Sequence, residues 1–180
     1  MQQPLVQLLC QPNPDPDAIL TLVPELLPLV GFDQHNEHHC YDVWIHTLET
    51  VRHTPFDPVL RLAALFHDIG KPQCFRLDEN GVGHSYGHAR VSADLARAIL
   101  TRHEYEAPVI DRVWILIDRH DMQIEPQYKY VRRAILRLTP EIFWQLVQLK
   151  RADNLAQSPA YHHRQAYYNE LEAIAETVVL

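Results

Sequence analysis

Ala63-Ala64-Leu65-Phe66-His67-Asp68-Ile69-Gly70-Lys71-Pro72 sets an imidazole beside a carboxylate at the end of an almost wholly apolar run. From Val59 to Phe66 only Arg61 is charged, so the segment reads as a buried central helix. Gly70 and Pro72 are its stop signal. Asp57-Pro58 supply a cap and a first-turn proline at the other end. A His and an Asp where a core helix ends are costly to desolvate unless something compensates them. A bound cation does so, and the negative end of the helix dipole favours one there. The ordinary alternative is a hydrogen-bonded couple, or a pair exposed just past the last turn. The rest of the chain has to arbitrate.

Working outward, the pattern is mostly helical. A helix is expected over about residues 41–53, and the buried one over about 57–68. Residues 73–86 break the helical period, and 74–84 reads as a short hairpin turning at Asn80-Gly81. Helices follow at about 88–103, 108–121, 129–138 and 141–157, with a last one at about 161–178 packing through Tyr168, Leu171 and Ile174. Residues 12–16 are rich in Pro and Asp, so any first helix begins near Asp17, and Pro24 and Pro28 make the next stretch irregular or kinked. The expected fold class is all-α: a compact helical bundle in one domain over 1–180, its core at about 35–157, with a hairpin-like insertion near 74–84.

Helical spacing tests where candidate ligands point. His88, Val91, Leu95 and Ile99 recur at intervals of three or four, so His88 shares a face with an apolar stripe. Val109, Val113, Leu116 or Ile117, and His120 do the same, as do Ile142, Leu146, Leu149, Asp153 and Ala156. His46 departs from this pattern. The stripe of its helix runs through Tyr41, Trp44, Leu48 and Val51, with His46 roughly opposite. Either that helix is covered on both faces or His46 opens onto a cleft. Singly, each residue has an ordinary reading. His88 can be a satisfied core histidine, His120 a cation at a helix C-terminus, and Asp153 a partner of Arg151 or Arg133. Together, a shared polar pocket accounts for them at once.

The formal net charge of -7 argues against an extended nucleic-acid interface or an anionic membrane surface, yet permits a small anionic substrate held by a few local cations. Cys10, Cys40 and Cys74 are widely spaced with no CxxC, which fits a reducing, cytoplasmic setting. No signal peptide is evident, and the longest candidate membrane stretch, 113–117, is far too short to span a bilayer. None of this fixes an oligomeric state.

The order His46, His67-Asp68, Asp153 resembles the H…HD…D signature of the HD-domain metal-dependent phosphohydrolases. The flanking text is similar as well: Tyr41-Asp42-Val43-Trp44-Ile45-His46-Thr47-Leu48, then 64–72, then His84-Ser85-Tyr86-Gly87-His88, then Arg151-Ala152-Asp153. These segments look like the HD domain appended to some bacterial tRNA nucleotidyltransferases, over about residues 35–156. Such an enzyme needs a separate catalytic head, and the 34 residues before His35 are too few to supply one. The expectation is therefore a free-standing HD domain, without tRNA tailing.

The resemblance implies an HD-type helical bundle with the metal at its centre. His46, His67, Asp68 and Asp153 look like primary ligands, and His88 and His120 match positions that hold a second cation in two-metal members. One or two divalent ions are implied, with Fe, Mn, Ni, Co, Zn or Mg as candidates; mixed imidazole and carboxylate ligands disfavour Ca. The implied chemistry is hydrolysis of phosphomonoesters, or of phosphodiesters such as 2′,3′-cyclic nucleotides, by metal-activated water. The expected catalytic residues are Asp68, Lys71, His88 and His120. Lys71 would meet a phosphate oxygen, although a cation past a helix end is also common surface chemistry. His39, at the expected cleft mouth, His84, and Arg133, on the basic face with Lys129, Arg132 and Arg137, are the other candidate substrate contacts. That basic face can equally be a solvated surface. The competing reading is a non-catalytic module that senses a nucleotide or a metal.

Overall fold

A computed structural model describes residues 3–36 and 40–178. The described residues are almost entirely helical, as the sequence predicts. At the centre lies α4 (Pro58–Phe66), in which every residue from Leu60 to Phe66 is buried. Its cap is the expected one: Asp57 Oδ1 accepts from the Leu60 N–H at 2.9 Å. The preceding α3 (Val43–His53) starts the same way, with Asp42 Oδ1 accepting from Ile45 N–H at 2.7 Å. The helix carrying the His-Asp pair is shorter than expected. It ends at Phe66, and residues 67–70 form a turn that runs directly into α5 (Lys71–Cys74). Pro72 lies in the first turn of α5, so it opens a new helix rather than only closing the old one.

The N-terminal segment corrects the expectation of a first helix near Asp17. One turn-and-a-half helix, α1 (Pro4–Leu9), precedes α2 (Pro16–Leu22), and a 3-10 segment, Pro24–Leu29, accommodates Pro28. Leu5, Val6 and Leu9 bury against the core, and α1 packs on α4. Arg61, 2% exposed, explains how so short a helix is held. Its guanidinium donates to four carbonyl oxygens, those of Leu9 (2.6 Å), Gln11 (3.4 Å), Thr54 (3.1 Å) and Pro55 (3.2 Å). The one charge of the central helix thus closes the C-terminus of α1.

The expected hairpin is present. β1 (Arg76–Leu77) and β2 (Gly83–His84) pair antiparallel, Arg76 opposite His84 and Leu77 opposite Gly83. Asp78 organises the loop by accepting from the N–H groups of Asn80 and Val82, both at 2.9 Å, and Gly81 takes a left-handed φ of 77°. Gly83 locks the hairpin to the segment before α3. Its N–H donates to His35 O at 2.8 Å, and a Cβ on it would lie 2.1 Å from Gln34 O.

Four longer helices complete the bundle: α6 (His88–Arg102), α7 (Ala107–Arg119), α8 (Tyr128–Leu138) and α9 (Pro140–Leu155). The expected last helix splits into a 3-10 segment, Pro159–Arg164, and α10 (Gln165–Glu176), because Pro159 and the bonded turns after it interrupt the α period. The main core gathers α1, α3, α4, α6, α7 and one face of α9, and a smaller apolar cluster lies between α8, α9 and α10. Among the described residues no helix is long and apolar enough to cross a membrane.

Candidate metal centre

Five elements deliver imidazole and carboxylate groups to one place. α3 supplies His46, the turn after α4 supplies His67 and Asp68, and the first residue of α6 is His88. His120 follows the end of α7, and Asp153 comes from α9. His46 Nε2 lies 3.0 Å from Asp153 Oδ1, 3.4 Å from His67 Nε2 and 3.5 Å from Asp68 Oδ2. His67 Nε2 is 3.2 Å from Asp68 Oδ2 and 3.8 Å from Asp153 Oδ1. The other oxygen of Asp68 faces a second group. Asp68 Oδ1 is 3.1 Å from His88 Nε2 and 3.9 Å from His120 Nε2, and those two nitrogens are 3.2 Å apart. One carboxylate therefore joins two groups that could hold a metal, His46–His67–Asp68 and Asp68–His88–His120.

The main chain dictates which nitrogen each ring presents. Nδ1 contacts a carbonyl oxygen in all four: Ala156 for His46 (3.2 Å), Ala64 for His67 (2.8 Å), Ser85 for His88 (2.8 Å) and Ile117 for His120 (2.6 Å). A carbonyl can only accept, so each Nδ1 carries a proton and donates it, and Nε2 is the atom at which each ring offers a lone pair once it sheds any second proton, as binding a metal requires. Those lone pairs then point at one another and at carboxylate oxygens in a buried space. Asp68 Oδ2 adds to the imbalance: it is buried and no hydrogen-bond donor is aligned on it. Lys71 Nζ, 2.7 Å away, gives it an ion-pair contact off the hydrogen-bonding direction. Facing lone pairs around an unsatisfied carboxylate oxygen fit a divalent cation, and imidazole with carboxylate suits Fe, Mn, Co, Ni or Zn.

The electrostatics divide the site. Burial opposes charge on His67, but Asp68 and Asp153 outweigh it and lift the ring to about 9. Burial likewise opposes charge on Asp68, yet His67 and Lys71 hold its carboxyl well below the usual range, and Asp153 is held low by His46. His88 is raised: desolvation is overcome by its hydrogen bond to Asp68. His120 goes the other way, to about 4, because desolvation dominates and the cationic rings of His67 and His88 reinforce it.

A cavity of about 310 Å3 opens over these groups, and Asp68, Lys71, His84, His88, His120 and Asp153 all line it. His46 and His67 lie deeper, each no more than 1% exposed. Arg133 is elsewhere. It leans over the Tyr130 ring at 5.4 Å and lines a separate cavity of about 280 Å3, because α8 packs chiefly on α9 and α10. Arg151 does not pair with Asp153; it binds Glu172 at 2.7 Å and Asn169 at 2.9 Å. His39 lies outside the described residues. Asp121, Gln34 and Tyr86 are among the lining residues that the sequence does not single out. Asp121 reaches to 3.6 Å from His88 and 3.5 Å from His120, and its place beside His120 in the chain was the available signal. Gln34 donates nothing to the sequence pattern, yet its Oε1 accepts from Lys71 Nζ at 2.7 Å. Tyr86 stands at the rim.

The HD domain family model matches residues 36–158, more than half of the chain. The chain belongs to the HD domain family. It is 42% identical over 140 residues to the CC-adding tRNA nucleotidyltransferase of Thermus thermophilus, a match covering 74% of this chain and 32% of that protein. It is 36% identical over 143 residues to the A-adding tRNA nucleotidyltransferase of Deinococcus radiodurans, covering 76% and 32%. A multifunctional CCA protein of Aromatoleum aromaticum is 33% identical over 107 residues, covering 57% and 26%. The HD chain thus spans about a third or less of the length of these relatives. The four residues of the signature, His46, His67, Asp68 and Asp153, and the two further candidates, His88 and His120, all belong to the matched segment.

Proposed function

We propose that this HD domain is a metal-dependent phosphohydrolase acting on small nucleotide-like phosphomonoesters or cyclic phosphodiesters. The observation that carries the reading is the division of Asp68: Oδ2 belongs to the His46–His67 group, and Oδ1 to the His88–His120 group, beside an open cavity. A divalent cation held there supplies a water of lowered pKa and neutralises charge on the phosphoryl oxygens. His46, His67, Asp68 and Asp153 are the proposed ligands of one ion. Asp68, His88 and His120, with Asp121 at the mouth, are those of a second.

The remaining residues bind and orient. Lys71 donates one N–H to Gln34 and ion-pairs with Asp68, and its remaining donors can serve a phosphoryl oxygen in the cavity. It also holds Asp68 in its ionised form. The four Nδ1–H donors fix the ring planes, so the Nε2 positions are set before substrate arrives. Where only one ion is bound, His88 is the ring placed to give a proton to a leaving oxygen, since Asp68 favours its charged form.

The relatives' names describe tRNA nucleotidyl transfer, and that activity is not part of this proposal. The test pairs elemental analysis with hydrolysis of bis-p-nitrophenyl phosphate, 2′,3′-cyclic AMP and 2′-, 3′- and 5′-AMP under Mn, Ni, Co, Fe and Mg. Bound metal, with turnover that Asp68→Ala abolishes while the circular dichroism spectrum is kept, supports the enzyme. Nucleotide binding without turnover under any cation favours the sensor reading instead. Cleavage that survives removal of both His67 and Asp68 overturns the site.

A further inference from the structure

Gln34 and Tyr86 line the same cavity as the ligand groups. Gln34 is 5% exposed. Lys71 Nζ can only donate, and its 2.7 Å contact therefore assigns Oε1 as the acceptor and fixes the side-chain amide the right way round. Its Nε2 is then a buried donor, and among the described residues it has no hydrogen-bond partner. A buried donor without an acceptor is costly, and an oxygen of a ligand in the cavity relieves it.

Tyr86 is the opposite kind of residue, 81% exposed. Its ring lies parallel to that of His84, with centroids 5.1 Å apart and 6° between the planes. His84 is braced in turn, its Nε2 3.1 Å from Asp78 Oδ2. One face of the tyrosine is backed by imidazole, and its exposure leaves the other to solvent at the mouth of a cavity lined by Lys71 and the candidate metal ligands. A rigid aromatic face beside such a site suits a nucleobase. The amide and the platform are also mechanically one piece, because Gly83, next to His84, bonds to His35 and packs without a Cβ against Gln34.

We propose that Gln34, His84 and Tyr86 form a nucleotide subsite. Gln34 Nε2 donates to a phosphoryl oxygen beside Lys71, and the base stacks on the free face of Tyr86. The inference builds on the phosphohydrolase reading of the same cavity. Stacking reads a flat ring rather than a hydrogen-bond code, so the subsite tolerates all bases, with purines favoured a few-fold for their larger face.

The test is calorimetric titration of the full chain loaded with Mn. Two probes are used: adenosine 5′-methylenephosphonate, which cannot be hydrolysed at phosphorus, and methylphosphonate, which lacks the nucleoside. Tyr86→Ala is expected to weaken the nucleoside probe about 10-fold and leave methylphosphonate within about twofold. Tyr86→Phe restores wild-type binding, because the face matters and the hydroxyl does not. Gln34→Ala weakens both probes alike. An unchanged nucleoside affinity in Tyr86→Ala, an equal loss on both probes, or full binding in Gln34→Ala overturns the subsite. The two readings fail separately. Discrimination that depends on Tyr86, without turnover of any phosphoester, retains the subsite and rejects the hydrolase. Hydrolysis of 5′-AMP with the same kcat/KM in wild type and Tyr86→Ala rejects the subsite and retains the hydrolase.

Discussion

The two groups that could hold a metal share a carboxylate but are built differently. His46 and His67 are enclosed by core helices, and the two acids around them, buried Asp68 and partly buried Asp153, draw positive charge inward. His88 and His120 stand at the ends of α6 and α7, and the second acid near them, Asp121, is 61% exposed in its side chain. The first group holds His67 up near 9, whereas the second leaves His120 down near 4. The same residue type thus answers opposite ways within one site: at His67 the neighbouring carboxylates outweigh burial, and at His120 burial and the charged rings beside it win. The expected consequence is a tighter ion in the inner group and a more exchangeable one in the outer.

Removing the shared residue is the hardest blow to that contrast. Asp68→Asn takes a ligand from both groups at once, so hydrolysis should fall by about a thousandfold or more and bound metal should drop to trace levels by elemental analysis. Removing one ring from each side separates them. His67→Ala should cost the inner ion and nearly all activity. His120→Ala should lower bound metal from two equivalents toward one, weakening the outer ion at least about 100-fold in a competition titration with a chelator. Equal losses in the two variants would contradict the asymmetry.

A subtler break comes from Gly70. A Cβ there would lie 2.8 Å from Ser92 N and 3.0 Å from His88 O, both main-chain atoms of α6. Gly70→Ala should push α6 outward, lower stability by about 1–3 kcal/mol in thermal unfolding, and weaken the outer ion more than the inner.

The metal-stripped protein sharpens the comparison through pH. His67 has a folded pKa above its unfolded value. Its stabilisation is complete below about 6.5 and disappears as pH rises toward about 9. His120 has a folded pKa below its unfolded value, so it destabilises as pH falls from about 6.5 toward about 4. The melting temperature of the stripped protein should peak near neutrality. His67→Asn should flatten the alkaline limb and His120→Asn the acid one. The smallest expected effect is that of Arg133→Ala: lining another cavity, Arg133 should leave hydrolysis within about twofold of wild type.

Much of this was legible along the chain because α6, α7 and α9 each bury one face. Apolar spacing therefore placed His88, His120 and Asp153 correctly. His46 escaped that test for a physical reason. α3 is covered by both α4 and α9, so Val43, Trp44, His46, Thr47, Leu48, Thr50 and Val51 are all buried and no single stripe marks the interior. Order and flanking text identified His46 where periodicity could not. Gln34 left no trace in either signal, and Tyr86 lay within the flanking text without being marked as a contact. Their meeting is made by Gly83 docking on residues 34 and 35, a close approach between loops that carry no period. The first helix was missed because α1 is stabilised from outside itself, by a guanidinium more than 50 residues away.

That guanidinium has a practical consequence. The family-matched segment begins at residue 36, which invites trimming of everything before it. Cutting there would remove Leu9 and Gln11 and leave Arg61 with only the carbonyls of Thr54 and Pro55. A cation half stripped of its acceptors would then sit in the very helix that leads into His67 and Asp68. The segment around Leu9 and Gln11 thus braces the centre through Arg61, and a shortened version should be judged first by whether that helix still holds.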